Sequence, residues 1–120
     1  MASAGEVVRQ FYEAAKKKDL ATCRSLLSDD LVFAGLFETY PNPAAYLTAF
    51  TGLLGITKRI DVKTILAEGD QAAIFFELET TGPVEGTTLV AEWHHVKDGK
   101  IVHVRSVFDG RPWAAMFAGS

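Results

Sequence analysis

The sequence predicts an α+β domain, with helices packed on one face of an antiparallel sheet. Three observations carry this. Apolar residues recur at helical spacing in the first half of the chain and alternate at strand spacing from Lys58 onward. Asp98-Gly99 joins two alternating runs, a strong hairpin signal. Helices first and strands afterwards put the two kinds of element in separate layers.

Residues 4 to 18 read as an amphipathic helix, with Val7, Val8, Phe11, Tyr12, Ala14 and Ala15 on one stripe. Lys16-Lys17-Lys18 closes it, where cations favour the helix dipole. A second short helix, Leu20 to Leu27, follows Asp19 and presents Leu20, Cys23, Leu26 and Leu27. Leu31 to Phe33 form a short strand broken by Gly35, and Leu36 to Pro43 read as a loop folded over something apolar. Asn42 and Pro43 suit the cap and first turn of a third helix, which stops at Gly55.

The remainder reads as β. Lys58 to Ala67 and Gln71 to Thr81 form two strands, the latter with Ile74, Phe76, Leu78 and Thr80 on one face. Across the Asp98-Gly99 hairpin, alternation groups Leu89, Ala91, Trp93 and His95 with Val102, Val104, Ser106 and Phe108 on the covered face. Val90, Glu92, His94, His103 and Arg105 then fall on the outer face with Phe75, Val107, Glu77 and Glu79. This mixed outer face reads as exposed or as the surface of a homodimer. The tail from Gly110 to Ser120 carries Trp113, Met116 and Phe117, expected to pack on the sheet.

At 120 residues and with no linker or repeat, the chain reads as a single domain, 1–120, large enough to bury a core without staples. A net charge of −3 and no basic cluster beyond a helix end argue against nucleic acid or an anionic membrane as partner. The single Cys23 makes no internal disulfide and reads as a small buried hydrophobe. With no apolar leader and no bilayer-length stretch, a cytoplasmic location is expected. His94 and His95 point to opposite faces of one strand, so no metal site is expected, and no phosphate loop or dinucleotide fingerprint appears.

The order of elements, the opening VVRQFYEAAKKKDLATCRSLLSDDLVF and the ending W-H-H-x-x-D-G-K-I-V-x-V-R-x-x-F-D resemble the NTF2-like superfamily. Within it the chain is most similar to SnoaL-like and ketosteroid-isomerase-like proteins. The resemblance implies a cone-shaped, cystatin-like fold, a curved sheet wrapped around helices with an internal apolar pocket. Laid over the isomerase pattern, the first-helix tyrosine falls on Phe11, with Tyr12 one place off and pointing elsewhere. The proton-shuttling aspartate falls on Gly35 and the oxyanion-hole aspartate on Trp93. The SnoaL-like pattern fits better and implies Asp109 as acid/base, with His95 beside it.

An apolar pocket raises a carboxylate's pKa toward neutrality, and a nearby imidazole can share the proton. The expected activity is therefore cofactor-free acid/base chemistry on a small, largely apolar, carbonyl-type molecule. Trp93, Tyr12, Tyr40, Phe11, Phe33, Tyr46, Phe50, Phe76, Val104 and Phe108 are the expected pocket residues. Asp109 also suits a turn or a pairing with Arg111 or Arg105, and strict alternation puts it off the face that holds Phe108. The alternative is a ligand-binding or dimerisation module without chemistry.

Overall fold

The computed structural model describes residues 2–118, Ala118 by its backbone alone. Met1, Gly119 and Ser120, the ends of the expected 1–120 domain and its packing tail, lie outside the described residues. Helix α1 spans Ala4–Lys16, capped by Ser3, whose hydroxyl accepts from the Glu6 amide at 3.2 Å. Its apolar stripe is buried as the periodicity predicts, and Lys18, in the left-handed region at φ 57°, turns the chain out. Helix α2, Leu20–Ser25, is capped by Asp19, which accepts from the Thr22 amide at 3.1 Å.

Strand β1, Leu27–Ala34, starts four residues before the expected strand and takes the last residue of the expected helix. The cause is tertiary. Leu27 pairs with Ile101 in a parallel ladder, and the Ile101 amide donates to Leu26 at 2.8 Å. The sheet is thus mixed rather than wholly antiparallel. Within the expected loop, Thr39–Tyr40 form a short β2 on β1. Helix α3, Pro43–Ile56, begins at Asn42 as expected, its side chain accepting from the Ala45 amide at 2.8 Å. It runs through Gly55, because Ile56, beyond the expected stop, still packs against the core.

Strands β3 (Thr57–Glu68), β4 (Gln71–Thr80), β5 (Gly86–Lys97) and β6 (Lys100–Phe108) complete one six-stranded curved sheet in the order β2-β1-β6-β5-β4-β3. The tail makes a 3-10 turn at Arg111–Trp113 and a short α4, Ala114–Ala118. Trp113 is buried, and its indole N–H donates to Thr88 Oγ1 at 3.0 Å. No helix among the described residues is long and apolar enough to cross a membrane.

One residue of β6 decides which residues of β5 share a face with Val104, Ser106 and Phe108. Asp98 (φ 54°) and Gly99 (φ 74°) form the expected two-residue turn with both residues left-handed. A regular ladder from that turn would pair Trp93 with Val104 and His95 with Val102. Instead, a bulge between His95 and Val96 skips Val102, so His94 pairs with Val104, Glu92 with Ser106 and Val90 with Phe108. A one-residue slip moves a whole strand face to the other side. Thr88, Val90, Glu92, His94 and Val96 are buried, whereas Leu89 and Trp93 lie outside, Trp93 being 49% exposed. The unbroken β4–β5 ladder agrees, because Ile74, Phe76 and Leu78 sit opposite Glu92, Val90 and Thr88.

Gly35 is fixed by backbone crowding. A Cβ there would lie 2.9 Å from the Glu38 carbonyl oxygen, the same oxygen that accepts from the Gly35 amide at 2.8 Å. Gly35→Ala should therefore cost about 1–3 kcal/mol through forced backbone movement. Gly52→Ala, in α3 with nothing within 4 Å of its Cβ, should instead gain about 0.5–1 kcal/mol. Urea denaturation of the two variants checks the pair.

Candidate active site

The inner sheet face and α3 enclose a cavity of about 400 Å³, within the range of small-molecule sites. Its mouth is bordered by residues 35–38 and by the tail, where Phe37 stacks on Phe117 at 4.6 Å. The walls are mostly carbon. Phe33, Tyr46 and Phe50 form a stacked series, with ring centroids 4.4 and 5.4 Å apart, and Phe76, Phe108 and Trp113 also line the space.

One carboxylate, Glu92, enters this apolar wall from β5 and is 6% exposed. The Tyr12 hydroxyl donates to its Oε1, and His94 Nε2 lies 3.1 Å from the same oxygen. The other oxygen, Oε2, has no hydrogen-bond partner among the described residues. Burial, then the charge of Glu92, hold the Tyr12 hydroxyl well above the usual tyrosine pKa, so it remains a donor. Tyr46 is shifted upward for the same two reasons, and its hydroxyl has no partner among the described residues. At the rim, burial and then Glu38 raise Tyr40.

Of the expected pocket residues, Tyr12, Tyr40, Phe33, Tyr46, Phe50, Phe76 and Phe108 line the cavity. Tyr12 does not point elsewhere; it reaches the polar end of the site. Three other expectations need correction. Phe11 and Val104 are buried in the core and do not line the space. Trp93 is on the outer face, its indole N–H donating to Gln71 Oε1 at 2.8 Å, because the skipped Val102 in β6 sets Val104 and Ser106 opposite His94 and Glu92 instead of Trp93 and Ala91.

The expected Asp109–His95 pair is not brought together. His95 is on the outer face between Trp93 and His103, with ring centroids 5.1 and 5.9 Å away. Asp109 follows Phe108, which pairs with Val90, and His95 lies five positions beyond Val90 along β5. That separation is about 17 Å at strand spacing. Asp109 instead accepts from the Arg111 backbone amide at 3.1 Å and its guanidinium at 2.9 and 2.7 Å. Those bonds pull its carboxyl from the ordinary 3.8 to about 2. A carboxyl lowered by its partner stabilises the fold above its ordinary pKa and loses that contribution as pH falls through about 2. A side-chain carboxyl titration by NMR should place the Asp109 midpoint near 2.

Glu92 and His94 are the residues sequence reasoning misplaced. A signal was present: Val90, Glu92, His94 and Val96 alternate, so two ionisable groups are bracketed by valines on one strand face. Cys23 is fully buried, and desolvation raises its thiol to about 11. Among the described residues, no group of three His, Cys, Asp or Glu side chains could hold a metal ion.

Residues 8–104 match the SnoaL-like domain family. No curated protein matches the chain. Solved structures similar to it include a Xanthomonas campestris protein with a cystatin-like fold, at TM-score 0.85 and 20% identity, over 99% of this chain and 100% of that one. An NTF2-like protein from Cytophaga hutchinsonii superposes at TM-score 0.83 with 17% identity, over 95% and 96% of the two chains. An M. tuberculosis LEH-like epoxide hydrolase does so at 0.75 with 24% identity, over 98% and 96%. At these identities the structures establish the fold alone, the NTF2-like cone, while the matched span of sequence establishes the family: the chain belongs to the SnoaL-like domain family.

Proposed function

We propose that the cavity binds a small, largely apolar, carbonyl-type molecule and that Glu92 moves a proton on it without a cofactor. The observation that carries this is a buried carboxylate in an apolar wall, one oxygen held by two neighbours and the other unpartnered. Glu92 Oε2 takes the proton from the carbon beside the carbonyl, and the C–H electron pair moves into the C=O group. The Tyr46 hydroxyl, protonated and facing the same space, donates to the oxygen on which charge develops. Returning the proton at another carbon completes an isomerisation; attack of the carbanion on a second carbonyl, whose oxygen then takes the proton back from Glu92, gives a cyclisation. That an M. tuberculosis protein on this fold is an LEH-like epoxide hydrolase supports a catalytic use of the cavity.

A generic probe tests the reading. 5-Nitrobenzisoxazole opens when a base removes its ring C–H: the N–O bond breaks and a coloured phenolate forms, with no co-reactant. Wild type should open it faster than free glutamate does. Asp109→Asn should leave this rate unchanged, since that carboxylate is committed to Arg111. Loss of turnover in Asp109→Asn with retention in Glu92→Gln would return the role to Asp109. No turnover in wild type, with the probe bound, would favour the binding-module reading.

We also propose that a second copy covers the outer sheet face. Leu66, Leu89, Trp93 and Val107 are exposed there, and Ala73 sits between Leu66 and Trp93 in the ladders. Trp93→Lys should convert a dimer into a monomer in sedimentation velocity; a wild-type monomer at all concentrations would sink the idea.

A further inference from the structure

We infer that His94 is a positioning residue that commits Glu92 to exchange its proton through Oε2 alone. This rests on the proposed role of Glu92. His94 is 2% exposed, stands edge-on to Tyr12 (centroids 6.4 Å, 85°), and places Nε2 3.1 Å from Glu92 Oε1. Its Nδ1 is buried with no partner among the described residues.

That orphan nitrogen selects the proton arrangement. A cationic imidazole, or the neutral tautomer with the proton on Nδ1, would bury an N–H with nothing to accept it. Orphaned buried N–H groups are rare, and a buried unpaired charge costs more still. The remaining form is neutral, with the proton on Nε2, donating to Glu92 Oε1. Tyr12 donates to that oxygen as well. Oε1 therefore receives two hydrogen bonds and carries no proton of its own. Only Oε2 can take or give one, and the two donors fix the carboxylate's rotation. His94 acts through Glu92 and touches no substrate.

The test combines a spectroscopic readout with kinetics on 5-nitrobenzisoxazole. In the folded protein, ¹⁵N NMR of the His94 ring should show a protonated Nε2 and an unprotonated Nδ1. His94→Leu should lower kcat about ten- to hundredfold, the worth of a hydrogen bond to a charged group, with KM little changed. His94→Gln, whose side-chain amide can still donate, should recover most of that loss. Protonated Nδ1 in the spectrum would overturn the inference, as would undiminished kcat in His94→Leu. If His94→Leu does not fold, the ring spectrum and His94→Gln still decide. Glu92→Gln separates the two claims. Retained turnover there defeats the Glu92 reading itself; lost turnover there with full activity in His94→Leu defeats only the role of His94.

Discussion

Replacing Glu92 by Gln is expected to lower turnover of 5-nitrobenzisoxazole by about 10²–10⁴-fold, the usual contribution of a positioned acid or base. The amide keeps the carboxylate's shape, and its carbonyl oxygen can accept from both Tyr12 and His94. It cannot take a proton. Binding of the probe should survive, because the cavity walls that hold it are aromatic and lie on α3, β1 and β4. A fall in kcat at constant KM would mark an interaction made in the transition state. Steady-state kinetics of wild type, Glu92→Gln and Asp109→Asn, run together, check this.

The largest expected loss of stability comes from Phe11→Ala. Phe11 is 1% exposed and packs edge-on against Tyr12 at 5.2 Å and beside Phe50 at 5.6 Å. It supports the cavity from behind, touching residues that line it. Truncation should cost about 3–5 kcal/mol, because a close-packed core closes over such a void only in part. For a chain of 120 residues that is a fall in Tm of roughly 10–25 °C. Trp93→Ala, on the half-exposed outer face, should change monomer stability by no more than about 0.5 kcal/mol. Thermal unfolding of the two variants therefore reports directly which of these aromatics is core. If Trp93→Ala were the costlier, the β5 face assignment would be wrong.

Much of this architecture was legible in the sequence because local and tertiary preferences agree. Val7, Val8, Phe11 and Tyr12 bury one helical stripe, Asn42-Pro43 opens α3, and Asp98-Gly99 makes its turn, each for the local reason that identifies it. The face of β4 was equally legible, since Ile74, Phe76 and Leu78 leave no alternative. What was not legible depends on long-range pairing. Leu27 joins a strand only because Ile101 offers it a parallel partner seventy-four positions later. The bulge that skips Val102 has no glycine or other local mark, and it breaks the alternation of β6 between Ile101 and Val104, so that Glu92 and His94 rather than Trp93 and His95 share a face with Val104, Ser106 and Phe108.

The candidate site was lost at the same point. Both faces of β5 hold large apolar residues and a histidine, so burial could not choose between them from composition. The resemblance placed Phe11 and Trp93 at the family's functional positions. The structure instead brings together the residues next to them in sequence, Tyr12 and Glu92, one step along α1 and one step back along β5. The aromatic lining was robust to that error, since Phe33, Tyr46, Phe50 and Phe76 come from elements whose faces were assigned independently.

The most direct measurement is a crystal structure with 5-nitrobenzotriazole, a stable isostere of the probe. Its ring nitrogens should lie within hydrogen-bond reach of Glu92 Oε2, about 2.6–3.2 Å, with the ring against Tyr46 and Phe50. Tyr12 and His94 should remain on Oε1. A ligand bound instead beside Asp109, or a Glu92 carboxylate facing away from the bound ring, would contradict it.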